Sequence, residues 1–250
     1  MYVELPPERD LAGRVACVWR QVAEADFTQL VVPDACVDLI WGPDGPFVAG
    51  PDTGPMPTAM RAGDTFDGIR FRPGAVGDFF GLPLDELRDQ RVPLAALPFP
   101  VADPPGVPPF AAAGSPGAPP FPAADGPSPP VAIPAPIREL LVRSARVDPA
   151  APAIAAALRK GRSVGEVAWD LGLSERQLQR RSLASFGYAP KTLQRIVRFQ
   201  RALRLARAGV PLAEVAVTAG YADQAHLSHD VKRLSGVPMH RLVSPAGELA

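Results

Sequence analysis

Cysteine and histidine are scarce in this 250-residue chain, and each scarcity closes off a class of function. Two cysteines, Cys17 and Cys36, are too few for a disulfide framework and fit a reducing compartment. Both read as small buried hydrophobes, because nothing nearby supplies the electropositive setting of a reactive thiol. The three histidines, His226, His229 and His240, all lie near the C-terminus, so the first 225 residues cannot build a His-based metal centre. His226 and His229 stand three apart without a third donor, and no metal or cofactor is expected. No run of about 18 apolar residues occurs, which leaves no membrane span. The opening Met1–Leu11 stretch is too polar and acidic for a signal peptide, and the expected location is cytoplasmic.

What is present is divided. Apolar residues make up 47% of the chain, enough to rule out full disorder. The formal net charge is zero, yet residues 1–136 hold 8 Arg and no Lys against 17 Asp and Glu, while residues 137–250 hold 18 Lys and Arg against 9 acids. A basic half beside an acidic one suggests that the basic half meets a polyanion, since cations along a nucleic acid release condensed counterions.

The boundary is marked by proline. Residues 98–136 contain 15 prolines in 39 positions, a density that no helix or central strand survives, and the run reads as a semi-extended linker. Before it the patterns are short and β-like. Leu30-Val31-Val32, Cys36 to Trp41 and Phe47-Val48-Ala49 are separated by the turn formers Pro33-Asp34 and Gly42 to Gly45, and Gly68 to Arg72 predicts a further strand. Ala75–Phe80 and Leu84–Asp89 are each expected to form a short helix. Residues 1–97 are therefore read as a small β-rich domain, cupin-like or barrel-like.

After the linker the period becomes helical. Val164, Val167, Ala168 and Leu171 form one apolar face, and Ser163 with Glu166 makes a capping box. Gly172 ends that helix. Ser174 with Gln177 opens a second, whose outer face carries Arg176, Gln177, Gln179, Arg180 and Arg181. A short helix, a glycine turn and a polar helix form a helix-turn-helix pattern. The design returns 48 residues later, with Leu212, Val215, Ala216 and Ala219 as the apolar face and Gly220 as the turn. The second polar helix buries Leu227, Val231 and Leu234 and presents Gln224, His226, His229, Lys232 and Arg233. The two units span about 163–187 and 211–236, with recognition helices at about 174–183 and 223–234. Lys191 to Arg207 is an uninterrupted helical stretch between them, roughly 26 Å long at ~1.5 Å per residue. Such a spacer could set two recognition helices about one DNA turn apart. Arg195 and Arg198 on it are candidates for phosphate contact. The fold class is α+β in two domains, the second all-α over residues 137–250.

These residues resemble the paired helix-turn-helix domain of AraC/XylS-type transcriptional regulators. The likeness runs from about Ile154 to Leu242 and is carried by Val164 to Ala168, Gly172-Leu173-Ser174, Phe186 to Pro190, Arg201 to Leu205, Ala219-Gly220-Tyr221 and Gly236-Val237-Pro238. It implies seven helices and a bipartite site on double-stranded DNA. It further implies base reading by Arg176, Gln179 and Arg180 in the first unit and by Gln224, Ala225 and His229 in the second. His229 stands where the family usually carries arginine, and Val231 where it usually carries phenylalanine. The opening domain is similar, through Pro33 to Trp41 and Gly68 to Gly74, to a β-domain that precedes this unit in some actinobacterial regulators. There Asp38, Trp41, Arg61, Arg70 and Arg72 are candidates to line a small-molecule effector pocket, Trp41 being equally readable as core. The leading reading is a sequence-specific DNA-binding regulator with no enzymatic reaction, its partners being DNA, a small-molecule effector, a second copy of itself as a homodimer, and RNA polymerase. The alternatives make the β-domain a self-association or partner-binding module, or a metal-free enzyme domain.

Overall fold

The computed structural model describes residues 1–98, 133–143 and 147–243. The proline-rich run expected to link the halves falls, at residues 99–132, outside the described residues.

The N-terminal half is built from β1 (Tyr2–Leu5), β2 (Val15–Val22), β3 (Phe27–Val31), β4 (Val37–Gly42), β5 (Gly45–Ala49), β6 (Met56–Met60), β7 (Thr65–Phe71) and β8 (Arg91–Pro93). Six of these form one antiparallel sheet in the order β1-β2-β7-β4-β5-β8, and β3 pairs with β6 in a separate ribbon. Alternation sorts the side chains to two faces. Val37, Leu39 and Trp41 of β4 meet Ile69 and Phe71 of β7 on the main core face, whereas Ile40 faces Cys17, Trp19 and Ala49. A register shift between Val15 and Cys17 allows Val15 and Val18, an odd number apart, both to enter the main core. On the other face Gly68 makes room for the Trp19 ring, since a Cβ there would lie 2.2 Å from Trp19 Cε2.

The segments expected to be helical at 75–80 and 84–89 are instead turns and one short 3₁₀ piece, Leu84–Glu86. Gly77 and Gly81 take positive φ values of 63° and 74°, which interrupts any helical run. The interruption turns both Phe79 and Phe80 inward, where Phe80 packs edge-on against Phe79 and Phe71 and Phe79 lies tilted against Phe71, with ring centroids 4.9–5.7 Å apart.

The helical half begins later in the chain than residue 137. Helix α1 (Ala135–Arg143) buries Ile137 and Leu141, with Ile133 before it, in the core of the β-domain. Arg14 donates to the Leu141 carbonyl, and Arg138 pairs with Glu8 and Asp10. Residues 137–143 thus belong by packing to the N-terminal half; their apolar spacing had no stretch of helical sequence beside it to show which core it joins. Seven helices follow: α2 (Ala151–Arg159), α3 (Val164–Asp170), α4 (Glu175–Phe186), α5 (Pro190–Arg207), α6 (Leu212–Ala219), α7 (Gln224–Ser235) and α8 (Met239–Val243). Helix α5 is the axis, burying Leu193, Ile196, Phe199, Ala202 and Leu203 among Leu178, Val215, Leu227 and Val231 from the units on either side.

Candidate nucleic-acid interface

The first unit is set by its caps. Ser163 accepts from the Glu166 amide while Glu166 accepts from the Ser163 amide at 2.7 Å, and Ser174 and Gln177 repeat the exchange at the start of α4. Hydrogen bonds from Ser163 hold the Glu166 carboxyl below its ordinary value. Arg162 ties the same cap to Asp170, through Glu166 at 3.3 Å and Asp170 at 2.9 Å. Between α3 and α4 the chain reverses at Gly172, and between α6 and α7 at Gly220, with φ of 63° and 90°; a side chain would strain either position. Asp223 caps α7 by accepting from the His226 amide at 2.7 Å.

The apolar stripes then fix what faces outward. Leu178, Ser182 and Phe186 are buried on α4, which leaves Arg176, Gln177, Gln179 and Arg180 exposed. The Gln177 side-chain oxygen is committed to the cap. Arg181 is half-buried and bound to Asp148 at 2.7 Å, which turns it from the outer face toward the base of α2. On α7, Leu227, Val231 and Leu234 are buried, and Gln224, Ala225, His226, His229, Lys232 and Arg233 are exposed. The His226 ring stands edge-on to Tyr221, 5.1 Å between centroids. Trp169 on α3 and Val217 on α6, 48 residues apart at matching places in the two units, are large apolar side chains left open to solvent.

Arg195 and Arg198, expected on phosphates, are directed to a residue the sequence did not single out. Asp230, 5% exposed, lies at the middle of the buried stripe of α7 and accepts from Arg198 at 3.1 Å, with Arg195 at 3.6 Å. The Arg198 guanidinium also stacks over the Tyr221 ring at 4.3 Å. Burial, joined by the charge of Asp230, raises the Tyr221 hydroxyl above its ordinary pKa. These groups lock α5, the second turn and α7 together. An acid three residues after Leu227 on a buried stripe, with arginines three apart on the facing helix, was the available signal. Arg201, Arg204 and Arg207 remain exposed on α5.

The effector candidates do not converge. Asp38 and Arg70 are cross-strand neighbours, bonded at 3.1 Å, with Asp34 and Glu4 at 3.9 and 3.5 Å from the same guanidinium. Burial would lower the Arg70 pKa, but Asp38 and Asp34 outweigh it and hold the group above its ordinary value. Trp41 faces the opposite side of the sheet, 3% exposed, and borders a pocket of about 300 Å³ with Gly42, Pro43, Thr65 and Asp67. Arg61 is exposed in the turn after β6, and Arg72 donates to the Ala12 carbonyl at 2.7 Å. Burial pushes the Cys17 thiol up to about 11 and the Cys36 thiol well above its usual range.

Three hydrogen bonds, together with apolar contacts, join the two halves. The Tyr188 hydroxyl, fully buried, donates to the Asp52 carbonyl at 2.6 Å. Arg88 donates to the Gly187 carbonyl at 3.2 Å, and Gln200 of α5 donates to the Pro33 carbonyl at 2.7 Å. Ala35 is buried within the helical core.

Comparison with known proteins matches the two halves of the chain separately. Residues 3–93 match a domain of unknown function (DUF6597), and residues 167–243 match a helix-turn-helix domain. No curated protein matches the chain. Among solved structures, it is similar to the C-terminal domain of AraT, a response regulator from Geobacillus stearothermophilus, with 23% identity over 40% of this chain and 87% of that one, TM-score 0.37. A transcriptional regulator from Chromobacterium violaceum with an AraC-type DNA-binding domain aligns at 19% identity over 40% and 91% of the two chains, TM-score 0.36. ToxT from Vibrio cholerae aligns over 92% of this chain and 98% of its own at 10% identity, TM-score 0.42. The chain therefore carries a helix-turn-helix domain behind a β-rich domain of unknown function.

Proposed function

We propose that this protein is a DNA-binding transcription regulator that reads a bipartite site on duplex DNA through α4 and α7, under the control of its N-terminal domain. The observation that carries the reading is the pair of capped polar helices on one axial helix, each burying one stripe and leaving arginine, glutamine, histidine and lysine outward. Arginine and glutamine offer bidentate partners to guanine and adenine edges in the major groove. Helix α5 has 18 residues, about 27 Å at ~1.5 Å per residue, a spacing suited to neighbouring major grooves. Arg176, Gln179 and Arg180 read the first half-site; Gln224, Ala225 and His229 read the second, with Lys232 and Arg233 on the flanking backbone. Selection of duplexes from a random-sequence pool by the full chain tests this. Two conserved blocks about 10 base pairs apart support it, whereas a single block or no enrichment would refute it.

A small-molecule effector is assigned to the β-domain, with the half-open pocket of about 300 Å³ beside Trp41 and the buried Asp67 as its candidate seat. Metabolite-dependent thermal stabilisation of the full chain, lost in Trp41→Ala, is the corresponding measurement.

A further inference from the structure

The turn between α4 and α5 is not completed by its own domain. Ser182 donates to the Tyr188 carbonyl at 2.7 Å from within, but the Tyr188 hydroxyl leaves the helical half to reach the Asp52 carbonyl. Gly187 lies so close to the β-domain that a Cβ would meet Pro51 Cγ at 2.5 Å, and a Cβ on Gly74 would meet the Phe186 ring at the same distance. Asp52 is itself fixed by two bonds from Arg91, at 2.8 and 2.9 Å.

A second observation points to the same place. Among the described residues only Ala35 and Asp89 hold positive φ without being glycine, at 66° and 59°, a conformation that costs L-residues free energy. Both sit at this contact. Ala35 enters the helical core between Pro33, which accepts from Gln200, and Cys36, whose amide donates to Asp34 at 2.8 Å. Asp89 follows Arg88, and its carboxylate accepts from the amide and hydroxyl of Thr53, next to Asp52. Strain concentrated at one interface is retained where the surrounding contacts hold it. The exposed residues of α4 and α7 remain exposed while the halves are joined, so the contact does not cover the reading faces.

We infer that the β-domain completes the first helix-turn-helix unit, its loops 33–36 and 50–53 holding the Gly187–Pro190 turn so that docking strengthens DNA binding rather than blocking it. The inference rests on the DNA-reading function proposed above. A signal received in the β-domain would act by loosening or tightening this seat, and the sign of the coupling is positive.

The test uses the full chain with Tyr188→Phe, which removes only the hydroxyl, and with Gln200→Ala. The probe is a fluorescein-labelled duplex recovered by the wild-type chain from a random pool. Each variant should bind about three- to tenfold more weakly, the scale of one lost hydrogen bond, with base preference unchanged. Amide exchange should rise together at 186–193, 33–36 and 50–53. Ser163→Ala weakens the same half away from the interface and should leave 33–36 and 50–53 protected. Unchanged or tighter DNA binding in both variants would overturn the inference, as would an equal exchange rise in Ser163→Ala. If the wild-type chain retains no duplex, the DNA-reading function fails, and exchange alone decides the docking: unchanged protection in the variants overturns it.

Discussion

Arg180 and Arg198 are the same residue type on adjacent helices, and their surroundings give them different work. Arg180 is exposed on the outer face of α4; Arg198 is held between Asp230 and Tyr221. Arg180→Ala should cost about 1–3 kcal/mol of binding and relax preference at one base position, read by duplex selection on the variant. Fold stability should be untouched. Arg198→Ala should instead lower the urea midpoint, with a stability loss of about 3 kcal/mol, because it leaves the buried Asp230 with the more distant Arg195 as its remaining cation. A midpoint equal to wild type would return Arg198 to the phosphates. The outward face of α4 was legible in the sequence because the Leu178, Ser182 and Phe186 stripe dictates it. The burial of Asp230 was not, since an acid in a helix reads as solvated until the facing arginines are placed by tertiary packing.

At the scale of the element, the caps set both the start of each helix and its response to acid. The Glu166 carboxyl is depressed by its bonds from Ser163 and by Arg162, so its contribution is fully present above the ordinary value of 4.5 and is lost as pH falls through the lower folded value. The Ser163 amide should therefore lose exchange protection only as pH falls below 4.5, through the carboxyl's lower folded value. Protection that persists to lower pH in an NMR titration would mean the cap does not need the charged form. Both capping boxes, both glycine turns and the long spacer helix were readable because each is local chemistry at fixed spacing. The β-domain was less so. The strand at 15–22 hides its alternation behind the shift at Cys17, and the ribbon of β3 with β6 depends on a partner 29 residues away. Local signals for helix at 75–80 were overruled by the demand to bury two adjacent phenylalanines.

For the whole molecule, the charge division has a measurable effect. Eighteen of the chain's 26 Lys and Arg lie in residues 137–250, so the affinity of the full chain for duplex DNA should fall steeply between 50 and 200 mM salt, with a log–log slope of about −0.9 per phosphate neutralised. A slope near zero would mean that few of these cations reach the backbone. The acidic half, seated behind the first unit, leaves the outer faces of α4 and α7 open. The three tryptophans are distributed along the same division. Trp19 and Trp41 are buried in the β-domain at 6% and 3% exposure, while Trp169 stands 86% exposed on the first unit. Iodide should quench Trp169 almost alone, and the shielded, blue-edge emission should come from the sheet. One unlabelled sample thus carries two colours of intrinsic light, one for each half, and loss of the blue component without change in the quenchable one would time the opening of the β-domain separately from any event at the DNA.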